Sequence, residues 1–317
     1  MFRTSWRKTM NPTDHDRNFR RQKTHLRVPS YRPRLEVLED RRLLSVTATV
    51  LGNPSWIEVG PGPINSSSLV LASPNGSSSG AVESVVAEPT ATGYIVYAAT
   101  VNGGIWRSDN ITAADPTTIT WRPLTDNQPT LATCSLALDP NDTSGNTLWV
   151  GTGSVSSAGN AGGPSIGLLK TTDGGATWTV ITGNSPLGNQ KNQLVNQQIL
   201  SVLPTTQIDS GTGPGRGGRV VLVATRQNGI YWSGDGGATF QNVLAGKAAQ
   251  VLKDPTNPSW FYAALPGNLP GTNHGIYFSQ VNGQPGSWAA LSSNNSNMTI
   301  SGDLRMAVTP GILYVAT

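Results

Sequence analysis

One eight-position string occurs twice in this chain, as Thr171-x-Asp173-x-Gly175-x-Thr177-Trp178 and as Ser233-x-Asp235-x-Gly237-x-Thr239-Phe240. Each copy reads as strand, tight turn, strand. Asp173 and Asp235 can accept hydrogen bonds from backbone N–H groups of the turn they begin, and the hydroxyls of Thr171 and Ser233 can act in the same way from the strand end. The Gly pairs 174–175 and 236–237 permit the positive φ that such hairpins require. Trp178 and Phe240 open the returning strand with a ring that buries roughly 150–250 Å², about 4–6 kcal/mol before entropy costs, enough to fix that strand in a sheet.

Around these strings the chain repeats a unit of four short strands. In each unit an apolar strand comes first and a second ends in Ala-Thr or a close variant. A third, led by Gly, enters the turn, and an aromatic-led fourth leaves it. The four complete units begin at Glu83, Ser135, Ile199 and Ala249, with Gly104, Gly167, Gly229 and Gly275 leading their third strands. A fifth unit runs over Leu304–Val308 and Ile312–Thr317 and stops after its second strand. The first and fourth turns depart from the string: Asn110 and Val281 stand where Asp is expected, which predicts hairpins of different length there. Insertions are expected at 155–164 and 205–218.

The repeated string resembles the Asp-box of BNR-type repeats, and the chain is similar to the Asp-box β-propellers, the sortilin-like and xyloglucanase-like proteins among them. That resemblance implies an all-β fold of four-stranded antiparallel blades, about five of them visible and the last truncated. It assigns the box residues Thr171, Asp173, Gly175, Thr177, Trp178, Ser233, Asp235, Gly237, Thr239 and Phe240 a structural part. Blade-on-blade packing also gives a reason for so long a repeat, since one four-stranded unit cannot bury both its faces alone. The short strand Trp56–Val59 is a candidate for the outer strand with which the N-terminal side closes the ring.

The expected domain division is a basic, disordered arm over 1–45 and a propeller over 46–317. Up to Arg42 there are 12 Lys and Arg against 5 Asp and Glu, and the remainder carries 10 against 13. The pI near 9.3 therefore belongs to the arm, and the globular part gives no electrostatic case for nucleic acid. The arm ends in Arg34-Leu-Glu-Val-Leu-Glu-Asp-Arg-Arg-Leu-Leu-Ser45, which resembles the signature at the N-termini of many planctomycete exported and surface proteins and implies export. The apolar run from Leu43 is too short and too interrupted for a standard signal peptide. No segment approaches the ~18 apolar residues of a membrane span.

Chemistry-bearing motifs are sparse. Gly211–Arg219 has the glycine content of a phosphate loop but no following Lys-Ser/Thr and no helix, so it reads as an inter-strand loop. Of the three histidines, His15 and His25 fall in the arm and His274 in a Gly/Asn/Pro loop, so neither a metal cluster nor a Ser-His-Asp triad can be assembled. No cofactor is expected. The single cysteine, Cys134, sits in an apolar run and reads as a buried small residue. Arg107, Arg122, Arg216, Arg219, Arg226 and Arg305 are scattered, with none of the clustering a sialidase needs. Glu83, Asp126 and Asp303 are the acidic candidates for a two-carboxylate hydrolase, but their spacing singles out no pair. The expectation is an exported, non-enzymatic binding or scaffold propeller with a protein or polysaccharide ligand. The alternative is a secreted glycoside hydrolase acting on polysaccharide.

Overall fold

In the computed structural model, the described residues are 81–112, 118–153, 162–267, 273–291 and 304–316. To these are added the backbones of the short strands β1 (Arg34–Val37), β2 (Ile64–Asn65) and β3 (Ser77–Ser78). The chain divides into Met1–Arg32, outside the described residues, and Pro33–Thr317.

Four consecutive four-stranded antiparallel sheets follow one another along the chain. The first holds β4 (Val82–Thr90), β5 (Gly93–Thr100), β6 (Gly104–Ile111) and β7 (Arg122–Pro123); the second β8 (Thr133–Leu138), β9 (Leu148–Thr152), β10 (Leu168–Thr171) and β11 (Thr179–Ile181). The third holds β12 (Ile199–Ile208), β13 (Arg219–Thr225), β14 (Gly229–Ser233) and β15 (Gln241–Leu244); the fourth β16 (Gln250–Lys253), β17 (Phe261–Leu265), β18 (Gly275–Ser279) and β19 (Trp288–Ala290). Strand order equals chain order in each, so every sheet is an up-and-down meander. The fifth sheet pairs β20 (Arg305–Thr309) with β21 (Ile312–Ala316). β1 lies parallel to β21, Arg34 opposite Ile312 and Val37 opposite Val315. The Leu-Glu-Val alternation of Arg34–Val37 suits a strand, and its partner is nearly the whole chain away. β2 and β3 form a short antiparallel pair. The rest of the arm and Trp56–Val59 lie outside the described residues.

The meanders are the blades of a β-propeller. Their first strands, β4, β8, β12, β16 and β20, contact one another in succession, which places them about a common axis. Between blades lie four apolar clusters. Tyr97 and Ile105 of blade one meet Leu136, Leu148 and Leu169 of blade two. Trp149 and Leu168 of blade two meet Val202, Val221 and Phe240 of blade three. Leu222 and Trp232 of blade three meet Val251 and Phe261 of blade four, and Tyr262 and Ile276 of blade four meet Met306 and Leu313 of blade five. Alternation along each strand thus sends successive side chains into two different interfaces, so the inner strands are apolar on both faces.

The Ala-Thr ending of the second strand and the Gly that leads the third form one device. The hydroxyls of Thr100, Thr152 and Thr225 donate to the carbonyl oxygens of Gly104, Gly167 and Gly229, at 3.0, 2.6 and 3.1 Å. Those glycines hold φ of 71, 103 and 92°, which a side chain would strain.

Candidate functional site

The two Asp-Gly-Gly hairpins have the same hydrogen bonds. Asp173 accepts from the Thr171 hydroxyl (2.7 Å), the Thr177 N–H (2.9 Å) and the Thr177 hydroxyl (2.6 Å), while the Gly175 N–H donates to the Thr171 hydroxyl (2.9 Å). Asp235 accepts from the Ser233 hydroxyl, Thr239 N–H and Thr239 hydroxyl at 2.7, 3.0 and 2.6 Å, and the Gly237 N–H donates to Ser233. These bonds to the ionised form hold the Asp173 carboxyl well below the usual carboxylate range, the Thr177 hydroxyl contributing most. In the first blade the Asn110 carboxamide oxygen takes the place of the carboxylate. It accepts from the Ser108 hydroxyl and the Thr120 N–H at 3.1 Å each, across a longer loop. In the fourth, Val281 offers no acceptor; the Ser279 hydroxyl meets Ser287 instead (2.7 Å) and still takes the Gly283 N–H.

The hairpins of blades two, three and four also touch the preceding blade. The Trp178 indole N–H donates to the Leu124 carbonyl oxygen of blade one, 3.1 Å, and a β-carbon on Gly175 would lie 2.6 Å from the Leu124 side chain. A β-carbon on Gly237 would lie 2.6 Å from the Trp149 ring of blade two, and one on Gly283 2.7 Å from Leu222 of blade three. Phe240 is fully buried in the interface between blades two and three.

At the axis, Glu83, Ser84, Cys134, Ser135, Ser201, Gln250 and Arg305 help line a cavity of about 270 Å³ to which all five first strands contribute. Its hydroxyls largely fasten blades together. Ser135 donates to the Ile199 carbonyl oxygen (2.8 Å), Ser201 to that of Val251 (3.3 Å), and the Met306 N–H reaches the Gln250 side chain (2.6 Å). A register shift precedes Ser84, Ser135 and Ser201 alike, a bulge that re-aims the first strand. Sequence reading missed this set, although a serine recurs at the same place in three first strands. The Cys134 thiol donates to the Gly153 carbonyl oxygen; burial first, and then the Glu83 carboxylate, push its pKa up to about 12.

The acidic candidates do not converge. Glu83 lines the axis, Asp126 is exposed on the turn after β7, and Asp303 lies outside the described residues. Most other described aspartates are held in their own turns. Asp142 accepts from Ser144 and Thr147, bonds that draw its carboxyl down to about 2. Asp254, although burial opposes its charge, is pulled below the usual range by Thr256, Asn257 and Tyr262. The arginines are equally separate. Arg107 is buried against Asp109, Tyr97, Asn146 and the Gly174 carbonyl oxygen. Arg216, from the glycine-rich loop, is paired with Asp209 and stacks 5.0 Å over Trp232. His274 is exposed. Among the described residues there is no group of three His, Cys, Asp or Glu that could hold a metal ion, and no helix long and apolar enough to cross a membrane.

Two further clefts open at the outer rim. One, of about 510 Å³, runs along β11 between blade two and the 236–238 turn of blade three; the other, of about 600 Å³, lies beside β15 and is lined by the 185–190 connection, by Pro214 and Arg216 of the glycine-rich loop and by Pro285 of blade four.

No protein-family model matches the chain, and no curated protein does. Among solved structures it is similar to an ancestral GH74 enzyme, at 17% identity and TM-score 0.45, with 77% of this chain and 26% of that one covered. It is also similar to the GH74 enzyme of Niastella koreensis, at 20% identity and TM-score 0.37, with 69% and 38% covered. A third likeness is to YCF48 from Cyanidioschyzon merolae, at 15% identity and TM-score 0.36, with 72% and 75% covered. The chain therefore spans well under half the length of either of these two GH74 enzymes.

Proposed function

We propose that the chain is an exported, non-enzymatic propeller that binds or scaffolds a partner at the cell surface or outside the cell, and that its Asp-box hairpins are clips between blades. The observation that carries the reading is the state of the carboxylates. Every described aspartate except Asp126 already accepts a hydrogen bond or ion pair from its own turn or a neighbouring strand, Asp109, Asp139 and Asp209 included. Hydrolysis of a glycosidic bond by the usual route needs two carboxyl groups facing one bond, roughly 5–9.5 Å apart, one of them free to give up a proton. Besides Glu83, the axial cavity is lined by Arg305, Gln250 and hydroxyl-bearing residues, with no second carboxylate among its lining residues. Export rests on the Arg34–Ser45 signature alone.

The test incubates the full chain with a panel of polysaccharides, followed by reducing-end measurement, alongside binding to immobilised glycans and candidate proteins. Binding without release supports the reading. Turnover of any glucan, lost on changing one Asp or Glu other than Asp173 and Asp235, overturns it. Export is tested separately, by fusing residues 1–45 to a reporter that matures only outside the cytoplasm.

A further inference from the structure

Blade one has two faces, and one of them packs on a described blade. Val86, Ile95 and Tyr97 join the cluster shared with blade two. Alternation sends their chain neighbours to the opposite face. There Val85 stands beside Ala98 and Trp106 across the sheet, and Ala87 beside Val96, with Tyr94 at the end of the row. Val85 is 57% exposed and Tyr94 50%, and neither belongs to a cluster between described blades. Val96 and Ala98 are buried between them, also outside those clusters. An apolar row on a sheet face calls for a second layer against it.

The chain between β1 and β4, residues 38–81, has the composition and the attachment to supply that layer. From Leu43 to Ala81 it holds one charged residue, Glu58. Disordered segments are kept open by charge and a lack of apolar residues, whereas this stretch has little charge and carries apolar runs. Leu44-Ser-Val-Thr-Ala-Thr-Val50 alternates apolar and hydroxyl residues as a half-buried strand does, and Trp56-Ile-Glu-Val59 follows after Pro54. Within the segment β2 and β3 form their antiparallel pair. Its two ends are held on the first and last of the described blades: Val37 lies opposite Val315 of blade five, and Val82 opens the first strand of blade one. In length it is about one blade, ~40–50 residues. We propose that residues 38–81 pack on the outward face of blade one as a further β-layer, over Val85 and Tyr94. A second copy of the chain presents the same residues, but a segment tethered at both ends meets the face at an effective concentration on the order of millimolar. The apolar face of blade one is then part of the fold, and a partner binds elsewhere on the molecule.

Photo-crosslinking on the full chain tests this, with benzoylphenylalanine in place of Tyr94. The expected product is a bond within one chain to a peptide from 38–81. A bond between two chains overturns the proposal, and so does irradiation that gives no bond to 38–81. Hydrogen exchange supplies a second reading. In the wild-type chain the amides of 44–50 and 56–59 are expected to exchange at least about tenfold more slowly than in free peptides of those sequences. Val85→Asp puts a charge on the face and should return them to the peptide rate while β13 and β17 keep their protection. Peptide rates in the wild-type chain, or protection that Val85→Asp leaves intact, overturn the proposal. Where the variant also opens β13 and β17, the cross-link from position 94 and the wild-type rates decide. Neither measurement depends on whether the chain binds or cleaves a glycan.

Discussion

Gly237 of blade three lies against the Trp149 ring of blade two so closely that a β-carbon there would sit 2.6 Å from the indole. The neighbouring Gly236 has nothing within 4 Å of the same position, yet both hold positive φ, 88 and 77°. The pair separates backbone strain from inter-blade contact. Gly236→Ala is expected to cost about 1–2 kcal/mol, the penalty of a left-handed alanine. Gly237→Ala adds a clash with a buried ring and is expected to cost about 1–3 kcal/mol more. Urea unfolding of the two variants measures the difference, and equal midpoints would show that the hairpin does not bear on its neighbour.

Stability should fall in acid because of the turn carboxylates. Asp142, Asp173 and Asp254 all have folded pKa values below the ordinary 3.8, Asp142 at about 2. For a depressed carboxyl the stabilisation is complete above the unfolded pKa and is lost as pH falls through the folded one. Melting temperature should therefore be flat with respect to these groups above about pH 5 and decline between about pH 4 and 2. Asp142→Asn should flatten that decline; a variant with the wild-type slope would show that another carboxyl governs it.

The Cys134 thiol should be inert in the folded chain. It is buried, and its pKa is pushed up to about 12 by burial and by Glu83, so the thiolate that attacks an alkylating agent is scarce. Iodoacetamide at pH 8 should label the chain only after denaturation, as read by intact mass. Rapid labelling of the native chain would mean that the axial cavity opens.

Much of this fold was legible because its repeat is local. Gly104, Gly167, Gly229 and Gly275 mark the third strands, and all four have positive φ. Asn110 departs from the repeated string, yet it keeps the bonds of the Asp it replaces, because an amide oxygen accepts as a carboxylate does. What the sequence concealed depends on partners in other blades. Ser135 and Ser201 look like ordinary polar interruptions of an apolar run until the next blade supplies the carbonyl oxygens of Ile199 and Val251. Lys170 looks like a solvated charge until Trp149 comes beneath it. Arg34–Val37 shows no pattern that names β21 as its partner.

Trp178 joins its blade to Leu124 in two ways, through the indole N–H on the carbonyl oxygen and through packing in the cluster between blades one and two. The two can be told apart. Trp178→Phe keeps a ring in the interface and removes the donor, which should cost about 1 kcal/mol. Trp178→Ala removes both, and for a half-buried indole about 2–4 kcal/mol is expected. If the contact with Leu124 is what matters, Leu124→Ala and Trp178→Ala should not add in the double variant. Residues in direct contact couple by about 0.5–3 kcal/mol, whereas independent sites add to within about 0.5. Chemical denaturation of the four proteins closes the cycle. Strict additivity would mean that Trp178 stabilises only its own hairpin, and the clip between blades would then have to reside in Gly175 and the Arg107 bond to Gly174.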